Sequence, residues 1–186
     1  RSFGASTLRD RHAHIEGDEV HISFVGKGGK DRDISLRDAE LASAVQDARD
    51  VPGQHLFQYY DADGARHPIS SGDVNAYLRE TMGEDFTAKN FRTWHASVLA
   101  LQCLSAAKER VTISAMCDHV SDRLGNTPTI TRNSYIHPAV IDLVENHEAW
   151  RSQFAVPRRT KYQSGIERVL VEILEESPPA QELLAA

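Results

Sequence analysis

Two glycine turns divide the start of the chain into three short β-prone runs, and this pattern constrains the fold more than any other sequence feature. The runs are residues 12–16, 20–25 and 31–36. They are separated by Gly17-Asp18 and by Gly28-Gly29, and glycine readily takes the positive φ angles that tight hairpin turns need. The pattern predicts a small antiparallel three-stranded β-meander. Residues that alternate onto one face of the middle run, and should pack on the next segment of the chain, are Val20, Ile22 and Phe24.

Helical periodicity dominates the rest of the chain. The predicted helices cover residues 38–49, 74–82, 87–108, 114–124, 138–150 and 166–176. Between them we expect a solvent-facing loop at 50–71, a polar connector at 126–137 and a linker at 157–165. The chain is therefore predicted to be α+β and mainly α-helical, with the meander at its N-terminal end.

The longest predicted helix, residues 87–108, carries two different faces. Its buried stripe is predicted to consist of Phe91, Trp94, Val98 and Leu101. A neighbouring ridge carries Lys89, Arg92 and His95 at a spacing of three. One face of this helix should therefore pack on the core while the adjacent face presents positive charge.

Charge is distributed unevenly along the 186 residues. The formal net charge of −6 argues against a wholly basic, DNA-coating protein. Residues 33–85 carry eleven acidic and four basic side chains, whereas residues 86–135 carry three acidic and six basic ones. An excess of this size is typical of a solvated helix face as well as of a phosphate site, so charge leaves both open.

Cysteine content and hydropathy exclude several classes of protein. Cys103 and Cys117 lie in helical patterns and form no Cys-x-x-Cys pair, so neither a disulfide framework nor a zinc ribbon is predicted. No apolar run approaches the ~18 residues of a membrane span, and no signal segment opens the chain. We expect a soluble, cytosolic protein that does not meet a membrane.

Three short motifs carry groups suited to phosphodiester chemistry: FVGKGGK, KNFRTW and LGNTPTITRNSYIHP. The first lacks the order of a nucleotide-binding phosphate loop. Transfer of a DNA phosphodiester without metal or nucleotide needs a nucleophile such as Tyr135, whose phenol can form a covalent phosphodiester. It also needs hydrogen-bond donors for the phosphoryl oxygens, for which Arg92 and Asn126 are suited. The leaving sugar oxygen needs a proton, for which Lys27 is a candidate donor.

Each of these residues also has an ordinary structural interpretation. Lysines are common at exposed hairpin tips, Arg92 fits a surface cation with a buried stem, and Tyr135 fits a packed aromatic. His137, next to the motif tyrosine, fits a structural role, and Cys117, Asp118 and His119 fit a helix surface better than a metal site. The spacing of the motifs does not by itself bring the groups together.

The three motifs in this order resemble the catalytic domain of type IB DNA topoisomerases, which share a fold with tyrosine recombinases. The resemblance extends from about Phe3 to Ile141. It implies relaxation of supercoiled double-stranded DNA through a 3'-phosphotyrosyl intermediate, with no ATP, metal or other cofactor. It also implies a monomer that acts in the bacterial nucleoid, or in the nucleus of a eukaryote.

The resemblance assigns a role to each motif residue. Tyr135 would be the nucleophile, Arg92 and Asn126 would stabilise the transition state, Lys27 would be the general acid, and Lys89 would assist proton delivery. The residues expected to contact the DNA backbone are Lys30, Arg123 and Arg132. The catalytic domain would span residues 1–156, with the meander and its lysine hairpin in 1–36 and the helical part in 37–156; residues 157–186 would form a linker and an amphipathic helix.

The sequence departs from the family pattern in two ways. Poxviral and nuclear relatives have histidine where this chain has Asn126, so the site resembles the bacterial branch and should depend less on pH near 6.5. The family also has a further catalytic arginine, farther upstream of the hairpin lysine than the 26 positions before Lys27. Neither that arginine nor the N-terminal DNA-clamp domain is in this sequence, so we expect a fragment with feeble cleavage of its own.

Three alternatives remain open. A tyrosine recombinase or integrase has a similar catalytic domain, but usually carries His-x-x-Arg, where this chain has Lys89 in the histidine position. A catalytically impaired DNA-binding fragment would explain the missing arginine. A helical interaction domain would make the joint set of motifs accidental.

Overall fold

Residues 2–146, 150–151, 155–180 and 183 are described by a computed structural model. The chain divides into two structural units, Arg1–Thr87 and Ala88–Ala186. The first unit contains the sheets and two helices, and the second is built from helices. The predicted class, α+β and mainly α-helical, is confirmed.

The predicted β-meander is confirmed. Its strands are β1 (Ala13–Glu16), β2 (Glu19–Val25) and β3 (Asp31–Arg37), paired antiparallel in the order β1-β2-β3. Gly17 has a φ of 62° in the first turn and Gly28 a φ of 77° in the second, conformations that a side chain would strain. Val20 pairs with Ile15 on one side and Leu36 on the other, so these apolar residues share one face of the sheet.

Helix α1 (Ala39–Asp50) covers the apolar face of β2. It begins after Asp38, whose Oδ1 accepts a hydrogen bond from the backbone N–H of Leu41 at 3.0 Å. The core of the first unit consists of Leu8, Ala13, Val20, Ala42, Val45 and Leu56. Ile22 and Phe24 of the predicted buried face pack against this core while partly exposed.

The predicted loop at 50–71 is wrong in part. It contains an antiparallel hairpin of two short strands, β4 (Gln58–Tyr60) and β5 (Arg66–Pro68), and Leu56 before it is fully buried. Asp61 Oδ1 holds the turn by accepting from the backbone N–H groups of Asp63 and Ala65. Strands of three residues are too short to show the alternation from which a strand is predicted.

Helix α2 (Ser71–Met82) begins directly after Ser70, which caps it. Ser70 Oγ accepts from the N–H of Asp73, whose carboxylate accepts from the N–H of Ser70 in return, which forms a capping box. None of its residues is buried. The predicted start at residue 74 is three residues late, because the helix begins directly after its capping serine and before its first apolar residue.

The second unit packs around one long helix. The helices with described bounds in this unit are α3 (Ala88–Ala106), α4 (Ile113–Leu124), α5 (Pro128–Ser134), α6 (Pro138–Asp142) and α7 (Gly165–Glu176). Its fully buried side chains include Leu101, Leu104, Met116, Val120, Val140 and Leu170. Because these come from α3, α4, α6 and α7, all four helices share one core.

Three sequence predictions for this unit need correction. Phe91, predicted to be core, is 53% exposed, because the buried part of α3 begins only at Ala96. The predicted connector contains α5, whose signal is the capping pair Thr127-Pro128 rather than apolar periodicity. The helix predicted for 138–150 ends at Asp142 and gives way to turns; part of its remainder lies outside the described residues.

The C-terminal helix α7 is tied to α3. Leu170 is fully buried in the core, and Trp94 Nε1 donates to Glu167 Oε1 at 3.3 Å. The amphipathic helix predicted for 166–176 is thereby confirmed. Within the described residues, none of the helices is both long and apolar enough to cross a membrane.

Candidate active site

Arg92 is held by the end of a neighbouring helix. It lies in the second turn of α3, half-buried, and its Nη2 donates to the backbone carbonyl of Leu124 at 2.7 Å. Leu124 is the last residue of α4, where carbonyls have no donor within the helix and favour a cation. The guanidinium is thus fixed at one edge by the fold itself.

Tyr135 lies against the same guanidinium. It is the residue that ends α5, is half-buried, and packs against the core of the second unit. Arg92 Cζ lies 5.1 Å from the centroid of the tyrosine ring, which is within the range of a cation–π contact. The structure therefore brings together two of the residues that the motifs predicted.

Asn126 is placed by a left-handed turn. Gly125 caps α4 with a φ of 72°, and the backbone N–H groups of Gly125 and Asn126 both donate to the carbonyl of Ser121, at 2.7 and 3.2 Å. Asn126 is thus two residues beyond Leu124, the residue whose carbonyl holds Arg92. The turn connects the C-terminal end of α4, whose last carbonyl holds Arg92, to the N-terminal end of α5, the helix that ends at Tyr135.

Arg92 and Asn126 each carry a buried donor without a partner among the described residues, where Thr131 Oγ1 and His55 Nδ1 are also buried polar atoms without one. Arg92 Nε and Asn126 Nδ2 are both inaccessible to solvent and lack a hydrogen-bond partner among the described residues. A buried donor left unpaired costs about 1–3 kcal/mol, so native proteins rarely keep one without a reason. A guanidinium and an amide are the donors that suit the oxygens of a phosphate diester.

The other cations predicted for this unit are exposed. Lys89 lies in the first turn of α3, one turn before Arg92, while Arg123 is near the end of α4 and Arg132 is on α5. Burial raises the pKa of the Cys117 thiol, and the charge of Arg132 opposes this shift. Arg132 therefore acts electrostatically on α4 as well as facing solvent.

Lys27 and Lys30 belong to the first unit, at the tip between β2 and β3. The tip is closed by a hydrogen bond from the N–H of Gly26 to the carbonyl of Lys30 at 2.8 Å. Gly28 and Gly29 both have φ above 70°, so the two glycines make the tight turn and leave both lysines exposed. The predicted lysine hairpin is present as a local structure.

The side chain of His137 caps the helix that follows it. It caps α6 by accepting a bond from the N–H of Ala139 at Nδ1, at 3.3 Å. Burial lowers the pKa of His137, with a smaller opposing effect of Asp142. These contacts agree with the structural role expected from the sequence.

Sequence reasoning missed the carbonyl of Leu124, which orients Arg92. A backbone carbonyl has no side-chain signature, and the one available signal for it was Gly125, because a glycine cap marks the end of a helix, where the last carbonyls have no donor in a following helical turn. Over the described ranges, three or more His, Cys, Asp or Glu side chains nowhere converge on a point that could hold a metal ion.

Comparison with known proteins places the chain in a family. The family described as "Eukaryotic DNA topoisomerase I, catalytic core" matches residues 1–149. A protein of Acanthamoeba polyphaga mimivirus named "DNA topoisomerase 1B" is 28% identical over 161 residues, which cover 79% of this chain and 48% of that protein. The chain thus spans about half the length of this curated relative. All the motif residues lie within the matched region.

Proposed function

Since the chain belongs to the family of DNA topoisomerase I catalytic cores, we propose that it is the catalytic part of a type IB topoisomerase. Such an enzyme relaxes supercoiled duplex DNA by cutting one strand and rejoining it. Its partner is double-stranded DNA, and one copy of the chain suffices for each cleavage. It works wherever the DNA of the cell is, in a nucleoid or in a nucleus.

The observation that carries this proposal is the contact between Arg92 and Tyr135 beside two unpaired donors. Tyr135 provides a hydroxyl that can attack phosphorus. Arg92 Nε and Asn126 Nδ2 provide buried N–H groups that lack an acceptor among the described residues. Donors that are already desolvated and fixed stabilise charge on a pentacoordinate phosphorane without reorganising.

The proposed reaction exchanges one phosphodiester for another. The Tyr135 oxygen forms a bond to phosphorus as the bond from phosphorus to the 5'-oxygen breaks, which leaves a 3'-phosphotyrosyl link and a free 5'-hydroxyl. The phenol proton passes to solvent, and Lys27 protonates the departing 5'-oxygen with the help of Lys89, roles supported by the family resemblance. Reversal after rotation of the free end restores the strand, so no ATP is needed.

Backbone contacts should supply most of the DNA affinity. Lys30, Arg123 and Arg132 are exposed cations on the elements that carry the proposed catalytic groups. Contacts to phosphate carry no sequence information and weaken as salt displaces them. We therefore expect relaxation of any supercoiled plasmid, with affinity that falls as salt rises.

The test is relaxation of supercoiled plasmid in EDTA by the full-length gene product and by its Tyr135→Phe variant. We expect the parent to relax DNA and to leave a covalent adduct in denaturant, and Tyr135→Phe to do neither. Tyr162→Phe is a matched control, since Lys161 lies 5.1 Å from the ring of Tyr162, which is 82% exposed and remote in sequence. Relaxation by Tyr135→Phe at the parental rate would show that Tyr135 is not the nucleophile.

The same assay separates the alternatives. A tyrosine recombinase would exchange strands only between paired specific sites, whereas a topoisomerase relaxes a plasmid that has none. A DNA-binding fragment would retard the plasmid without leaving a covalent adduct in denaturant. Inhibition by EDTA would contradict the proposed independence from metal.

A further inference from the structure

Ser97 connects the segment of Tyr135 to the helix of Arg92. It lies on α3 and is only 2% exposed. Its hydroxyl donates to the carbonyl of Thr93 at 3.0 Å and accepts from the backbone N–H of His137 at 3.0 Å. We propose that Ser97 is a positioning residue that fixes Tyr135 relative to Arg92, an inference that rests on the proposed function, in which Tyr135 is the nucleophile.

The geometry leaves this hydroxyl one arrangement. A serine hydroxyl has one proton to donate, and here the proton goes to the Thr93 carbonyl, so the oxygen faces His137 as an acceptor. The N–H of His137 precedes α6, where the helix itself offers no acceptor. Because Ser97 is shielded from water, little solvent competes for this bond.

Tyr135 is therefore anchored on both sides. Before it, the carbonyl of Thr131 accepts from the N–H groups of Tyr135 and Ile136, each at 3.1 Å. After it, Ser97 holds His137 and reaches the carbonyl of Thr93, the residue that directly follows Arg92. The distance of 5.1 Å between the guanidinium and the tyrosine ring is thus set by buried backbone contacts as well as by the two side chains.

The backbone of His137, rather than its side chain, takes part in this connection. Its Nδ1 is already engaged with the N–H of Ala139. Loss of the Ser97 hydroxyl should therefore release the nucleophile segment without removing any group that touches DNA. A displacement of about 1 Å at a reacting atom costs up to about 100-fold in rate.

The test compares Ser97→Ala with Ser121→Ala in the full-length gene product. Ser121 is a matched control, because it is 3% exposed and its hydroxyl donates to the Asp118 carbonyl within α4. Its own carbonyl, which accepts from the N–H groups of Gly125 and Asn126, is unchanged by the substitution. For single-turnover cleavage at saturating DNA, we expect Ser97→Ala to be slower by about 10- to 100-fold, with unchanged DNA affinity and a melting temperature close to that of Ser121→Ala. Equal cleavage rates for the two variants would overturn the proposal.

Amide hydrogen exchange provides a measurement that does not depend on activity. In Ser97→Ala we expect faster exchange at the amides of Tyr135 and His137, and in Ser121→Ala the parental rates there. If the parent forms no covalent adduct, the proposed function fails, and the exchange rates still decide on positioning. Exchange at the parental rate at both amides in Ser97→Ala would refute the positioning role of Ser97.

Discussion

Arg92 shows how one side chain can be fixed and still remain available. A guanidinium has five N–H donors, of which one on Nη2 is used by the Leu124 carbonyl, while the Nε donor stays buried and unpaired among the described residues. The guanidinium carbon Cζ lies 5.1 Å from the centroid of the Tyr135 ring. The side chain is thereby oriented before any phosphate arrives, so binding does not have to order it.

Asn126→Ala should slow cleavage without weakening DNA binding. Removal of one preorganised donor to a developing oxyanion costs about 100- to 1000-fold in rate. Asn133→Ala, which removes an exposed amide of the same helix–loop segment, should leave the rate unchanged. Single-turnover cleavage and DNA binding measured side by side check this. Equal rates for the two variants would remove Asn126 from the catalytic set.

At the scale of elements, the sequence predicts well wherever a periodic pattern is long or a turn demands glycine. The meander and α3 follow from such signals, and Gly125 correctly marks the end of α4. The β4–β5 hairpin and α5 escaped prediction because they are short and polar, and their stability comes from tertiary contacts and caps. Phe91 was misplaced because its position on the apolar stripe does not reveal that core packing starts one turn later.

The candidate site was predictable as residue types in order, but not as an arrangement. Tyr135, Arg92 and Asn126 could be chosen from motif and spacing. Their mutual placement depends on the Leu124 carbonyl and the Ser97 hydroxyl, and a carbonyl leaves no mark in the sequence. For the Ser97 contact, the visible signal was a serine within an apolar helix, since a buried hydroxyl needs partners.

The capping box of α7 gives a prediction for this element. Ser164 Oγ accepts from the N–H of Glu167 at 3.3 Å, and Ser164→Ala should lower the free energy of unfolding by about 1 kcal/mol, whereas Ser164→Asp keeps an acceptor and most of the stability. Urea denaturation at pH 7 measures this. Identical urea midpoints for the parent and Ser164→Ala would contradict it.

The unfolding free energy lost in Ser164→Ala should also depend on pH. Hydrogen bonds from the backbone and side chain of Ser164 lower the pKa of Glu167, so its carboxylate stabilises the fold above the unfolded value of 4.5 and ceases to do so as the pH falls through the lower folded value. Ser164→Ala keeps the backbone hydrogen bond to this carboxylate and removes that of the hydroxyl, so the difference in unfolding free energy between the parent and Ser164→Ala should narrow in acid by the contribution of the hydroxyl.

At the scale of the whole molecule, two separate cores stabilise the chain. The core of the first unit is centred on Val20 and Leu56, and that of the second on Leu101 and Leu170. Charge also differs between segments of the chain. The net charge of −6 therefore conceals a positively charged stretch that contains Arg92 and Arg132. Bulk charge is thus a poor guide to where an anion would bind.

Separate cores predict that damage to one will stay local. Leu56→Ala removes a fully buried side chain and should cost about 2–5 kcal/mol of unfolding free energy in the first unit. Hydrogen exchange should accelerate in β2 and α1 while amides of α3 keep their protection, and Leu101→Ala should give the reverse pattern. Equal loss of protection in both units from either variant would show a single cooperative core.

At the end of α4, Gly125 sets the turn of the backbone, and the neighbouring Asn126 supplies the hydrogen-bond donor. The glycine takes the left-handed conformation, and Asn126 does not need a positive φ. The side chain at position 126 can therefore change without any change in the path of the backbone. A lineage could replace one hydrogen-bond donor by another at this point through a single substitution, with the fold serving both.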